Sequence, residues 1–321
     1  MRILSGIQPS GDLHIGNYFG MMKRMIEYQE TDTLFCFIVN YHALTSVFDA
    51  ERLRQQTFDA ACDFLALGID PEKAIFWIQS DVPEVTELTW ILSNATSMGL
   101  LERCHSYKDK ISKGLIPNHG LFAYPVLMAA DILLFGAQLV PVGKDQKQHV
   151  EITRDIALRF NSTYGETFVI PDVDIPEHVA KVPGLDGEKM SKSYNNTIPI
   201  FSTEKQLRKK IMAIKTDTIP VEAPKDPDNS VLFDIYSLFL SQDEQQELRH
   251  RFLTPGLMYG HVKQELFEKV WEYFAPYRAK RQEYADNPNR VREILKYGAE
   301  KARAVGSEYL EKARHNVGLL Y

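Results

Sequence analysis

Residues 6–18 read GIQPSGDLHIGNY, and residues 188–193 read EKMSKS. The residue types in both stretches suit one task, the handling of a phosphate. In the first, Gly6 and Gly11 let a ligand approach the main chain closely. Gly16 and Asn17 are expected to open a helix, whose free N–H groups and dipole favour an anion. His14 adds a donor beside them. In the second, Lys189 and Lys192 lie three apart, with small hydroxyl residues between and after them. A flexible loop of this kind can carry two ammonium groups onto a polyphosphate. Neither stretch has the spacing of a GxGxxG dinucleotide fingerprint or of a GxxxxGK[ST] P-loop. Taken singly, the first is equally compatible with a plain strand-to-helix turn and the second with a solvated lysine run.

The elements around them form a pattern. Ile3–Ser5, Leu34–Val39 (LFCFIV), Ala74–Gln79 (AIFWIQ) and Leu139–Val142 are short apolar runs of the kind buried on both faces of a parallel sheet. Helical spacing fills Tyr18–Gln29, Ala50–Leu67, Val85–Met98 and Tyr124–Phe135, with Asp49 and Gly68 placed to cap the second of these. Strand alternating with helix predicts an α/β fold built on a doubly wound parallel sheet, in which ligands bind beyond the carboxyl ends of the strands. After about residue 190 the pattern becomes helical. Thr203–Gln206 is a capping box opening a run to Ile214, followed by helices over Ser230–Leu240, Asp243–Arg251, Gly260–Asp286 and Asn289–Val317. The expected division is a sheet domain at 1–190 and a helical domain at 191–321, with a hinge near Val182–Ser193. The chain has 321 residues, 44% hydrophobic and 25% charged, which suits two domains each with its own core. The net charge of −6 argues against a protein that coats nucleic acid, so any such partner must meet a local patch. Three scattered cysteines (Cys36, Cys62, Cys104), no apolar run long enough to span a bilayer and no leader-like start point to the cytoplasm.

The pairing of PSGxLHIGN near the start with KMSKS after the sheet is far more specific than either motif alone. On these residues the chain resembles the class I aminoacyl-tRNA synthetases, with His14-Ile15-Gly16-Asn17 as the HIGH-type motif and Lys189–Ser193 as the KMSKS motif. GIQPSG at 6–11, YPVLMAADILL at 124–134 and VPVGKDQKQH at 140–149 resemble the bacterial tryptophan-specific branch, over nearly the whole chain. The sister tyrosine-specific branch shares the fold and both signatures. The resemblance implies a Rossmann-like catalytic domain, a helical domain that reads the tRNA anticodon with its last helix packing back toward the catalytic domain, and a homodimer.

It also implies the site. ATP would be held by Gln8, Pro9, Ser10, Gly16, Asn17, Gly143, Lys144, Asp145, Val182 and Lys189-Met190-Ser191-Lys192-Ser193. His14, Asn17, Lys189 and Lys192 would act on the reacting phosphates. Asp131 would accept a hydrogen bond from the indole N–H of tryptophan. Gln8, Tyr124 and Gln146 would hold the amino and carboxylate groups, and Val39, His42, Met128, Val140 and Val142 would wall the ring. The apolar neighbours of Asp131 favour a buried carboxylate over a surface one, and indole, a donor with no acceptor, needs such a partner. His42 read from its own surroundings is equally a satisfied core histidine. Three positions depart from the family pattern: Lys144 stands in place of an acidic residue, Leu4 of a phenylalanine and Asn40 of an aspartate.

The implied reaction joins L-tryptophan to tRNA(Trp) with Mg-ATP. A carboxylate is already ionised at neutral pH, so no general base is needed and none is found. Mg²⁺ is expected with ATP, with no metal ligands of the protein's own. The chain has no cysteine after Cys104, so the iron–sulfur cluster of some relatives is not expected. A nucleotide-binding paralogue without catalysis and a nucleotidylyltransferase of the same fold remain the alternatives. Gly16→Ala is expected to fold normally and to lose ATP-dependent activity.

Overall fold

Along the chain the strands are β1 (Arg2–Ile7), β2 (Thr33–Ile38), β3 (Ile75–Ile78), β4 (Leu139–Pro141) and β5 (Asp172–Asp174). All pair in parallel, in the order β3-β2-β1-β4-β5. The computed structural model describes residues 1–9, 11–104, 118–143, 146–175 and 182–320. The first helical stretch is α1 (Ile15–Asn17), a π-helical turn over Tyr18–Met22, and α2 (Lys23–Thr31). Then come α3 (Asn40–Ala43), α4 (Ala50–Leu67), α5 (Glu84–Ala95), α6 (Met98–Glu102), α7 (His119–Leu133) and α8 (Lys147–Tyr164). The later helices are α9 (Glu204–Met212), α10 (Val231–Ser237), α11 (Gln242–Leu253), α12 (Tyr259–Tyr273), α13 (Ala275–Asp286) and α14 (Pro288–Asn316).

Two compact units result, and they cut the chain elsewhere than at residue 190. One unit comprises Met1–Gly11, Met25–Glu177 and Asn287–Tyr321, and the other Asp12–Arg24 and His178–Asp286. The first holds the sheet. From Leu34 onward every residue of β2 is buried, as a central parallel strand requires. Phe37 and Trp77 stack at 4.9 Å between ring centroids, and Phe35 and Phe135 stack at 5.5 Å beside them. α4 matches its expected span. Asp49 accepts the Arg52 N–H at 2.9 Å, and Gly68 ends the helix at φ 119°. α14 belongs to this unit because its small face lies on β3. A Cβ at Gly298 would overlap the carbonyl oxygen of Phe76, so glycine is required for that approach.

Among the described residues, four elements of the sheet unit escape the sequence reading: α3, α6, β5 and α8. β5 is a half-exposed edge strand of sequence Asp-Val-Asp, without an apolar run. α8 begins inside the VPVGKDQKQH stretch, at Lys147, and runs for 18 residues. In the second unit, the single helix expected over Gly260–Asp286 is two helices. Pro276 lacks an N–H and disfavours helix immediately before it, so the run breaks at the buried Phe274. Phe274 joins Tyr18, Tyr273 and Tyr277 in an aromatic cluster, in which the Tyr18 hydroxyl lies 3.2 and 3.3 Å from those of Tyr273 and Tyr277.

Candidate active site

Strands β1 to β4 each lead into residues beyond their carboxyl ends. β1 leads into Gln8 and Pro9, β2 into Val39 and His42, and β3 into Gln79. β4 carries Val140 and leads into Val142 and Gly143. Strand order reverses between β1 and β4, which is where an open parallel sheet accepts a ligand. The Gln146 N–H donates to Gly143 O at 2.9 Å, and Gln146 precedes α8. Ser10, Lys144 and Asp145 lie outside the described residues.

α7 supplies the other side of the site. Asn118 caps it, accepting the Leu121 N–H at 2.8 Å. Tyr124, Met128 and Asp131 are spaced four and three apart and so share one face. The Tyr124 hydroxyl lies 2.7 Å from His149 Nε2. Asp131 is 3% exposed. His42 Nε2 lies 2.8 Å from its Oδ2, and Gln79 Nε2 lies 2.8 Å from both carboxylate oxygens. Gln79 Oε1 accepts the Tyr41 N–H at 3.0 Å, and this bond turns the amide nitrogen toward Asp131. Burial raises the Asp131 pKa, while the hydrogen bond and charge of His42 and the bond from Gln79 oppose the rise.

The residues beside this cluster explain one departure from the family pattern. Asn40 Nδ2 donates to Ser80 Oγ at 2.8 Å, and Asn40 Oδ1 accepts the Ser80 N–H at 3.1 Å. An amide can do both, where a carboxylate can only accept. Leu4 is buried in the core with Phe35 and Phe37. Gln79 and His149, which lie against Asp131 and Tyr124, were not singled out from the sequence. The available signal for Gln79 was a polar residue closing the apolar run AIFWIQ.

The HIGH-type and KMSKS residues both lie in the second unit. Residues 13–15 run beside residues 198–200: Ile15 N–H donates to Ile198 O and Ile200 N–H to Leu13 O, each at 3.0 Å. The 182–190 segment is a hairpin in which Met190 N–H donates to Val182 O at 3.0 Å. Asn196 is 3% exposed and holds the loop from inside. Its Oδ1 accepts the Ser191 N–H at 2.8 Å, and its Nδ2 donates to Asp186 Oδ1 at 2.8 Å and to Lys189 O at 3.2 Å. Ser191 and Ser193 hydroxyls are 2.8 Å apart. Lys189 is exposed, Lys192 half-buried, and Met190 and Val182 are buried.

Two expectations for the opening stretch change. The amides at the helix start are not all open to a ligand: Ile15 N–H is taken by Ile198 O, and Asn17 N–H turns back onto His14 O at 2.8 Å. The Asn17 side chain is also engaged, its Oδ1 accepting the His14 N–H at 3.1 Å. His14 is buried and neutral at pH 7, its pKa lowered to about 4 by burial and then by the charge of Lys192, and its Nδ1 has no hydrogen-bond partner. Finally, a Cβ at Gly16 would lie 2.9 Å from His14 Nδ1 and 3.3 Å from Met190 Cβ. A methyl here requires the His14 ring to shift, so Gly16→Ala acts on the packing of His14 as well as on any ligand.

Comparisons with known proteins agree on one family. The profile described as tRNA synthetases class I (W and Y) matches residues 1–275. A tryptophan–tRNA ligase of Campylobacter jejuni is 56% identical over 319 residues, covering 99% of this chain and all of that protein. One from Fusobacterium nucleatum is 53% identical over 320 residues, covering 99% and 98%. The Campylobacter jejuni tryptophanyl-tRNA synthetase solved with ADP and tryptophan superposes with a TM-score of 0.95, at 56% identity, covering 99% of this chain and 100% of that one. The Mycoplasma pneumoniae synthetase gives a TM-score of 0.83 at 30% identity, covering 99% and 97%. The chain belongs to the class I tRNA synthetases of the tryptophan and tyrosine family.

Proposed function

We propose that this chain activates L-tryptophan with Mg-ATP and transfers it to the 3′ end of tRNA(Trp). The buried Asp131 carboxylate, on one helix face with Tyr124 and Met128 and held by donors from His42 and Gln79, carries this reading. It is an acceptor in apolar surroundings, which matches the single N–H of indole. Val39, His42, Val140 and Val142 wall the ring. Gln8, Tyr124 and Gln146 hold the amino and carboxylate groups. Full-length similarity to tryptophan–tRNA ligases supports tryptophan over tyrosine.

In the first step a carboxylate oxygen of tryptophan attacks the α-phosphorus, the bond from that phosphorus to the bridging oxygen breaks, and pyrophosphate leaves. Catalysis comes from positioning and from stabilising the charge that develops. Gln8, Pro9, Ser10, Gly143, Lys144, Asp145 and Val182 hold the nucleotide. His14, Gly16 and Asn17 meet its phosphates, with His14 as a neutral group. Lys189 and Lys192 act on the leaving pyrophosphate, with Met190, Ser191 and Ser193 shaping the loop that carries them. Mg²⁺ enters as part of the Mg-ATP substrate; among the described residues no cluster of three or more His, Cys, Asp or Glu could hold a metal. In the second step a hydroxyl of the terminal ribose of tRNA attacks the carbonyl carbon of the adenylate, and AMP leaves.

The tRNA anticodon is read by the helices after residue 190, where Lys205, Arg208 and Lys209 are exposed on α9 and suited to phosphate contacts. The enzyme works in the cytoplasm as a homodimer. No helix among the described residues is long and apolar enough to cross a membrane. The direct test is aminoacylation with labelled amino acids. Labelled tryptophan should become attached to tRNA only with ATP present, and attachment of tyrosine in its place would overturn the assignment.

A further inference from the structure

We infer that Gln79 is a specificity-determining positioning residue, which holds Asp131 as an ionised, fixed acceptor for the indole N–H. The inference rests on the proposed role of Asp131. Gln79 is 1% exposed and lies at the end of β3. Its amide is held at both ends. Oε1 accepts the Tyr41 N–H at 3.0 Å, so the NH₂ group must face the carboxylate, 2.8 Å from each oxygen. The Asn40–Ser80 pair, one residue along on each strand-end loop, clamps the same two loops together.

An amide NH₂ can only donate. It therefore bonds to a carboxylate acceptor and gains nothing from a protonated oxygen turned toward it. That matters because burial favours the neutral acid. A neutral Asp131 could rotate its proton into the site and would then meet the indole N–H with a donor. With Gln79 donating to both oxygens and His42 donating to Oδ2, Asp131 is kept as an acceptor. Oδ1 receives Gln79 alone among these partners, so it has lone-pair capacity left for a further donor. Discrimination in such a site comes from leaving a buried acceptor unmatched when the ligand lacks its N–H.

The test compares tryptophan with β-(benzothiophen-3-yl)alanine, in which sulfur replaces the indole N–H at nearly the same shape. The readout is the ratio of kcat/KM for the two in ATP–pyrophosphate exchange. This ratio is internal to each variant, so a partly misfolded preparation does not alter it. Gln79→Met keeps the volume and removes both polar ends. Gln79→Leu, which also removes both polar ends, serves if the first variant yields no active enzyme. Asp131→Asn is the control for the underlying reading. In the Gln79 variant the preference for tryptophan should fall by about tenfold or more, the scale of one hydrogen bond to a charged group. A wild-type ratio in the Gln79 variant, with a reduced ratio in Asp131→Asn, would overturn the role of Gln79 and leave that of Asp131 intact. A wild-type ratio in both would overturn both.

Discussion

Asp131 and His14 show how far single residues can be read from sequence. Asp131 was legible because a lone carboxylate among Ala129, Ala130, Ile132 and Leu133 needs buried partners. Those partners were not equally legible. His42 lies 89 positions away and Gln79 lies 52 away, and only the ends of β2 and β3 bring them together. His14 was expected to offer a donor; it is a buried neutral imidazole beside Lys192, and a neutral ring still carries one N–H. This has a consequence for stability. The unfolded chain takes up the imidazole proton near pH 6.5 and the folded chain only near pH 4. The unfolded state therefore gains protons first, and stability is lost as pH falls from 6.5 toward 4, by roughly 2–3 kcal/mol from this group. Above pH 6.5 the group has no effect. Thermal melts of wild type and His14→Gln should therefore diverge less at pH 4.5 than at pH 7, with the wild type losing more. Parallel acid dependence in the two proteins would remove His14 as the cause.

Elements with strong local signals were read correctly, and those defined by distant contacts were not. α4 has a cap, a stop glycine and a long apolar face, and its span was read to the residue. β5 has only its pairing with β4 to define it. The packing of the last helix back toward the sheet was implied by the resemblance alone; locally it depends on Gly298, whose neighbour Phe76 is more than two hundred positions earlier. Gly298→Ala should be destabilising by about 1–3 kcal/mol through overpacking against main chain that cannot give way. Gly260→Ala in α12 meets nothing within 4 Å and should be neutral or slightly stabilising, because alanine is the better helix former. Denaturant melts of the two variants should move in different directions or by clearly different amounts; equal shifts would contradict the packing of α14 on β3. The KMSKS loop was legible as a motif, but the internal clasp by Asn196 was not, since nothing local marks that residue. Lys192→Ala should lower kcat for adenylate formation by at least about tenfold while changing the KM for tryptophan little, because the lysine is asked to meet charge that develops at the leaving group. A loss confined to ATP affinity, read from the same steady-state kinetics, would reduce Lys192 to a ground-state phosphate contact.

At the scale of the whole chain, the alternating pattern and two paired motifs were enough to predict a parallel α/β sheet, a helical second half and the synthetase family. The division into units was less legible. The chain leaves the sheet unit after Gly11, returns at Met25, leaves again after Glu177 and returns at Asn287. A boundary drawn at one point in the sequence cannot describe such a path. The HIGH-type residues thereby fall in the same unit as the KMSKS loop, and Asp131 and its partners fall in the other. The central claim is that this chain activates tryptophan. The most direct measurement is ATP–pyrophosphate exchange by the full chain with each of the twenty amino acids supplied alone. Tryptophan should drive exchange, with phenylalanine slower by roughly 10⁴ because it leaves the Asp131 acceptor unmatched. Exchange driven by tyrosine as well as by tryptophan, or by no amino acid at all, would contradict the account.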